Sequence, residues 1–136
     1  MSYNNGKFGY NRRAGSLPAA GGADITITAG VNNRIDFDEG GLGEVNCTLV
    51  AATYTRADLA AQITTRLNVF AALNTYLCTY DSGTAKFTIA RDTGADSISF
   101  LWQTGSFSGT CVGPDIGFPT TADSTGATTY TGAAVP

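Results

Sequence analysis

The residues of this chain that could do chemistry are few, and their spacing suits little of it. There is no histidine, which removes the commonest general base and metal ligand. Cys47, Cys78 and Cys111 are widely separated and form no CxxC pair, so a structural zinc site is not expected. Cys47 and Cys78 fall in alternating apolar segments and read as small buried hydrophobes. Cys111 lies in a glycine-rich stretch and is the better candidate for a free thiol or an intersubunit disulfide. Asp36, Asp38 and Glu39 cluster before Gly40-Gly41, as the acids of a calcium loop would. Against that pattern, Gly40 takes the fifth position and Cys47 the twelfth, where carboxylates are wanted. The run Gly40 to Gly43 lacks the Lys-Ser/Thr of a phosphate loop, and a strand pattern follows it rather than a helix. Paired carboxylates could hydrolyse glycosides, yet the eleven acids are scattered and offer no preferred pair. Trp102 and the loop tyrosines could serve a carbohydrate-binding module as stacking platforms, although Trp102 stands in a core-like alternation. The expectation is a protein that is not an enzyme, with no cofactor, no metal and no small-molecule substrate.

The elements that would position these residues are one helix and a set of strands. The helix is expected over about residues 55–73. Thr55 suits the N-cap, Asp58 completes an Asp variant of the capping box, and Tyr54 with Leu59 can form a hydrophobic staple. Leu59, Ile63, Leu67 and Phe70 then share one face, while Arg56, Gln62, Thr65 and Arg66 point elsewhere. Strand patterns with period two precede it at Asp24 to Ala29, Arg34 to Asp38 and Glu44 to Leu49, the last running through Ala51-Ala52 into the helix. They follow it at Tyr76 to Tyr80, at Ala85 to Ile89 and at Ser97 to Gln103. Asp36 and Asp38 are expected on a solvated strand face. Asp81-Ser82-Gly83 is read as a hairpin connection with Gly83 at positive φ. Truncating Phe100 or Trp102 should cost about 3–5 kcal/mol. The predicted architecture is α+β: an antiparallel, sandwich-like sheet of about five to seven strands with the helix packed on it.

The 136 residues suit a single domain, expected as a body over 24–118 between an extended N-terminal arm, 1–23, and an extended C-terminal tail, 119–136. Charged residues make up only 14%, against roughly 25% in ordinary soluble domains, which suits a surface largely covered by other subunits. The net charge of −3 is unevenly placed. Lys7, Arg12 and Arg13 give the arm +3, and the remainder carries −6. A basic arm can dock on the acidic body of a neighbouring copy; three charges are few for a nucleic-acid partner. Tyr3, Lys7, Phe8, Tyr10, Arg12 and Arg13, with Tyr130 in the tail, are the candidate protein-interaction residues. No apolar run reads as a signal peptide or a membrane span.

These segments together resemble a known kind of domain. The run is "NRIDFDEGG", "ATYTRADLAAQITTRLN", "YLCTYDSGTAKFTIARD", "ISFLWQTGS" and "DIGFPTTADSTGATTYTG". It resembles a domain of tailed-bacteriophage virion proteins over about residues 24–130. There a Tyr-Thr pair leads into a Leu-Ala-Ala helix, followed by a Tyr-Asp-x-x-Gly hairpin, a Lys-Phe-Thr-Ile strand and a late Gly-Phe. The matching residues are Tyr54, Thr55, Leu59, Ala60, Ala61, Tyr80, Asp81, Lys86, Phe87, Thr88, Ile89, Gly117 and Phe118. The resemblance implies a structural role without catalytic residues. It points to a capsid decoration (cement) protein, or alternatively to a tail, collar or fibre-attachment protein. The implied partners are further copies of itself, as a homotrimer at local threefold sites, and the major capsid protein. The implied location is the virion, assembled in the host cytoplasm.

Overall fold

A computed structural model of the chain describes residues 21–136. The helix, α1, spans Arg56–Phe70 and starts as its sequence dictates, with the Thr55 hydroxyl accepting a bond from the Asp58 N–H at 3.1 Å. It stops at Ala71, short of the expected residue 73. The N–H groups of Ala72, Leu73 and Asn74, two of which would have continued the helical ladder, bond instead to the carboxylate of Glu39. A distant acid thus ends the helix, which no local signal in residues 70–74 announces. Leu59, Ile63 and Leu67 are fully buried on its inner face.

Among the described residues nine strands accompany it: β1 (Ile25–Ile27), β2 (Arg34–Glu39), β3 (Glu44–Thr48), β4 (Ala52–Tyr54), β5 (Thr75–Asp81), β6 (Lys86–Thr93), β7 (Ile98–Phe100), β8 (Ser124–Ala127) and β9 (Thr129–Thr131). They form three antiparallel sheets, not one. A four-stranded sheet runs β3-β2-β7-β8, a three-stranded sheet runs β9-β6-β5, and β1 pairs with β4 alone. The α+β, sandwich-like class is therefore as expected, with more pieces. Residues Ala52–Tyr54 do not extend β3; they turn away to pair with β1. The strand expected at 97–103 stops at Phe100: the Leu101 N–H still bonds the Asp36 carbonyl at 2.8 Å, and the Gly105 N–H then turns back to the Leu101 carbonyl at 3.0 Å. In the β5–β6 hairpin Gly83 needs no positive φ. Ala85 takes it instead (φ 58°), while the Asp81 carboxylate accepts from the Gly83 N–H and the Thr84 hydroxyl.

The core is an aromatic chain between the layers. Phe37 on β2 meets Tyr76 on β5 edge-on at 6.0 Å. Phe100 on β7 stacks on Trp102 at 5.5 Å, and Trp102 stacks on Phe118 at 5.1 Å. Ile116 and Phe118 are tucked in from the loop, as expected. The 3₁₀ turn Gly113–Ile116 ends on Gly117 at φ 88°, whose α-carbon faces the backbone of Ala133. A side chain there would meet both the strained φ and that backbone.

The tail differs from expectation. Residues 119–136 do not extend away from the body: β8 pairs with β7 and β9 pairs with β6. Beyond β9, Ala133 donates to Gly117 and Val135 donates to Ala85. The Thr-rich segment does add a strand to a sheet edge, and the edge is its own.

Candidate interaction surface

The acids that looked like a calcium loop diverge to three separate tasks. Glu39 is buried; besides its three backbone donors it accepts the Tyr76 hydroxyl at 2.6 Å. Burial pushes its carboxyl up, but the Tyr76 hydroxyl and the backbone N–H groups outweigh this and hold it below the usual range. Asp36, expected in solvent, is 1% exposed. The loop after β7 closes over that strand face, with the Phe107 N–H bonding Asp36 Oδ2 at 2.7 Å and Asn46 bonding Oδ1 at 2.8 Å. Burial dominates here and raises the Asp36 carboxyl despite those bonds. Asp38 caps the Gly43 N–H in the β2–β3 turn at 3.3 Å. Among the described residues no group of three or more His, Cys, Asp or Glu side chains could hold a metal.

The cysteines are equally committed. All three are free and buried. Desolvation pushes the Cys47 and Cys78 thiols up to about 12 and raises that of Cys111. Cys111, the candidate for a free thiol or an intersubunit disulfide, is free but not open to solvent. It lies instead beside Arg34 in an isolated parallel bridge, 6% exposed, with Val112 donating to the Arg34 carbonyl. A neighbour's sulfur has no access to it while this bridge is closed. All three thiols should therefore resist a thiol-reactive chromogenic disulfide in native protein and react together on unfolding. Stoichiometric labelling of Cys111 in the native state would contradict the structure. Trp102 is likewise 1% exposed and offers no open ring face to a sugar; its Nε1 donates to Ser124.

Arg56, expected to point away from the core, is buried at the point where the chain enters and leaves the body. Its guanidinium donates to the carbonyls of Ala23, Val135 and Pro136 and to the Tyr80 hydroxyl. Residues 21–23 and 135–136 therefore meet at one corner. Tyr3, Lys7, Phe8, Tyr10, Arg12 and Arg13 lie outside the described residues. Tyr130 is described and is not an outward anchor. It packs edge-on against Phe100 at 5.8 Å, and its hydroxyl donates to the Ile98 carbonyl.

One strand edge of the body is closed by the helix, and much of the surface is uncharged side chain. Strand β5 is an edge of its sheet, and α1 occupies the place of the missing neighbour. The Asn68 amide bonds both backbone groups of Tyr76, at 2.8 and 3.0 Å. One turn earlier, the Thr64 hydroxyl accepts from the Cys78 N–H at 2.8 Å, and its single proton is shared between the Ala60 carbonyl at 3.0 Å and the Cys78 carbonyl at 3.3 Å. Polar side chains four apart on a helix thus satisfy alternate residues of a strand and close it to foreign pairing. Nothing but the fold could reveal this pairing, though both residues were visible as helix positions. Threonines pair across strands on the outer surface, Thr75 with Thr93, Thr88 with Thr131 and Thr26 with Thr53. Leu42, Val69 and Val31 stand more than half exposed. Among the described residues no helix is long and apolar enough to cross a membrane. No family model, curated protein or solved structure matches the chain.

Proposed function

We propose that this chain is a non-enzymatic structural protein of a tailed-bacteriophage virion, in particular a capsid decoration protein. In this reading its copies bind the major capsid protein around local threefold sites. One observation carries the reading: a basic, aromatic segment precedes a body whose reactive side chains are spent on its own architecture. The first 23 residues hold +3 and the rest −6. In the body, the acids between Asp36 and Glu39 cap backbone N–H groups and the cysteines are buried. The sequence resemblance to virion domains supports the same reading. The helix that seals β5 suits a particle displaying many copies at close quarters, where open edges would aggregate. Because the tail strands belong to the body, the segment before Gly21 is the one left to reach a neighbour. Many such contacts would hold the shell by multivalency rather than by single-site affinity.

Deleting residues 1–20 tests this directly. The shortened protein should keep a cooperative melt, and its occupancy on particles should fall. Unchanged occupancy would overturn the role of the arm. Equal occupancy on particles with and without tails would support the shell location; loss from tailless particles would move the protein to the tail or neck.

A further inference from the structure

Of the four arginines in the described body, three are held by several acceptors or by an aromatic ring. Arg56 has four acceptors. Arg66 bonds the Thr48 carbonyl and lies over the Phe70 ring. Arg34 stacks on Phe107 at 3.8 Å. Arg91 is different. It is half-buried, and among the described residues its guanidinium makes one hydrogen bond, from Nη1 to the Asp96 carbonyl at 2.9 Å. That bond holds Nη1 and leaves Nε and Nη2 without an acceptor among the described residues.

Arg91 lines a cleft of about 370 Å³ between β6, the loop before β7, and the β8–β9 crossing. The other walls are Ser97, Ser99 and Thr128, whose hydroxyls make no hydrogen bond among the described residues, with Ala95 and Ala127 as the apolar side. The chain itself rigidifies the walls. The Arg91 N–H donates to the Thr128 carbonyl, the Gly40 N–H to the Ser97 carbonyl, and the Tyr130 hydroxyl to the Ile98 carbonyl. A fixed, half-desolvated guanidinium with an open fork and nearby hydroxyls has the chemistry of an oxyanion site. The planar fork fits a carboxylate through two parallel bonds.

We propose that this cleft binds a carboxylate, and that its occupant is an Asp or Glu side chain presented by a partner protein. The apolar side favours an acid on a short methylene stem over a bare inorganic anion, and the cleft has room for such a side chain. The site is independent of the virion reading, since it rests on the body alone.

The test is a titration of the full chain with sodium glutarate, followed by amide NMR at constant ionic strength. Saturable shifts are expected at Arg91, Ser97, Ser99 and residues 126–128, with binding in the millimolar range, on the order of that for a single exposed carboxylate contact. Arg91→Gln should weaken binding at least about tenfold, and Arg91→Lys should fall between, because it keeps the charge and loses the fork. Unchanged melting temperatures would show that both variants are folded. If either is not, Ser99→Ala in the wild-type background replaces it and should weaken binding about threefold, the scale of one lost hydrogen bond. Shifts spread over the whole surface, or glutarate binding unaffected by Arg91→Gln, would overturn the proposal. So would inorganic phosphate displacing glutarate at lower concentration, which would make the site one for phosphate.

Discussion

Replacing Glu39 by alanine should destabilise the protein by about 3–5 kcal/mol, seen as a large drop in the urea midpoint. The loss is a consequence of what stays behind. The N–H groups of Ala72, Leu73 and Asn74 and the Tyr76 hydroxyl all donate to this one carboxylate, and removing a buried acceptor costs the desolvation of each orphaned donor. Glu39→Gln should cost less, because its amide oxygen keeps part of the set. The two variants also separate packing from charge. Glu39 has its carboxyl held below the usual carboxylate range, so its contribution is present above that range and is lost as pH falls through the lowered value. Asp123, which caps Gln103 and Thr104, is depressed below 3.8 and acts in the same direction. Asp36 opposes them. Its carboxyl is raised, so its contribution is present at acid pH and is lost as pH rises through the raised value. Stability measured from pH 7 down to pH 3 should therefore fall less steeply in Glu39→Gln than in the wild type. An unchanged slope, or a loss under 1 kcal/mol in Glu39→Ala, would show that the helix terminus does not depend on this acid.

Trp102→Ala is expected to be the other severe substitution, at about 3–5 kcal/mol. The indole lies between two rings, Phe100 at 5.5 Å and Phe118 at 5.1 Å, nearly parallel to both. Its Nε1 donates to the Ser124 hydroxyl at 3.0 Å, tying β8 to the core. Truncation opens a cavity, removes both stacks and frees the start of the tail strands. The loss should therefore exceed that of Trp102→Phe, which keeps a ring and gives up the N–H bond. Thermal unfolding of the two variants measures the difference. Equal stability of Trp102→Ala and the wild type would mean that the ring is not the keystone between the loop after β7 and β8.

The sequence by itself determined the parts governed by neighbours along the chain. The Thr55 cap, the buried stripe Leu59, Ile63 and Leu67, and the alternation of Ile35, Phe37 and Cys47 are local patterns. Each survived folding because each depends on hydrogen bonds or burial within a few residues. The α+β class followed from them.

Tertiary structure alone decided whatever depends on partners far along the chain. Asp36 is buried because a loop seventy residues away covers its face, and α1 ends where Glu39 reaches across to take its next donors. Cys111, read as a free thiol or an intersubunit disulfide, is sealed because it adds a bridge to Arg34. Arg56 and Tyr130 left the exposed set because both termini of the body return to one corner and the last strand closes its own sheet. Arg91 gave no signal in the sequence. Only the crossing of β8 into β9 places its half-used guanidinium beside Ser97, Ser99 and Thr128. A polar group is as exposed as its distant partners leave it, and local periodicity carries no information about those partners.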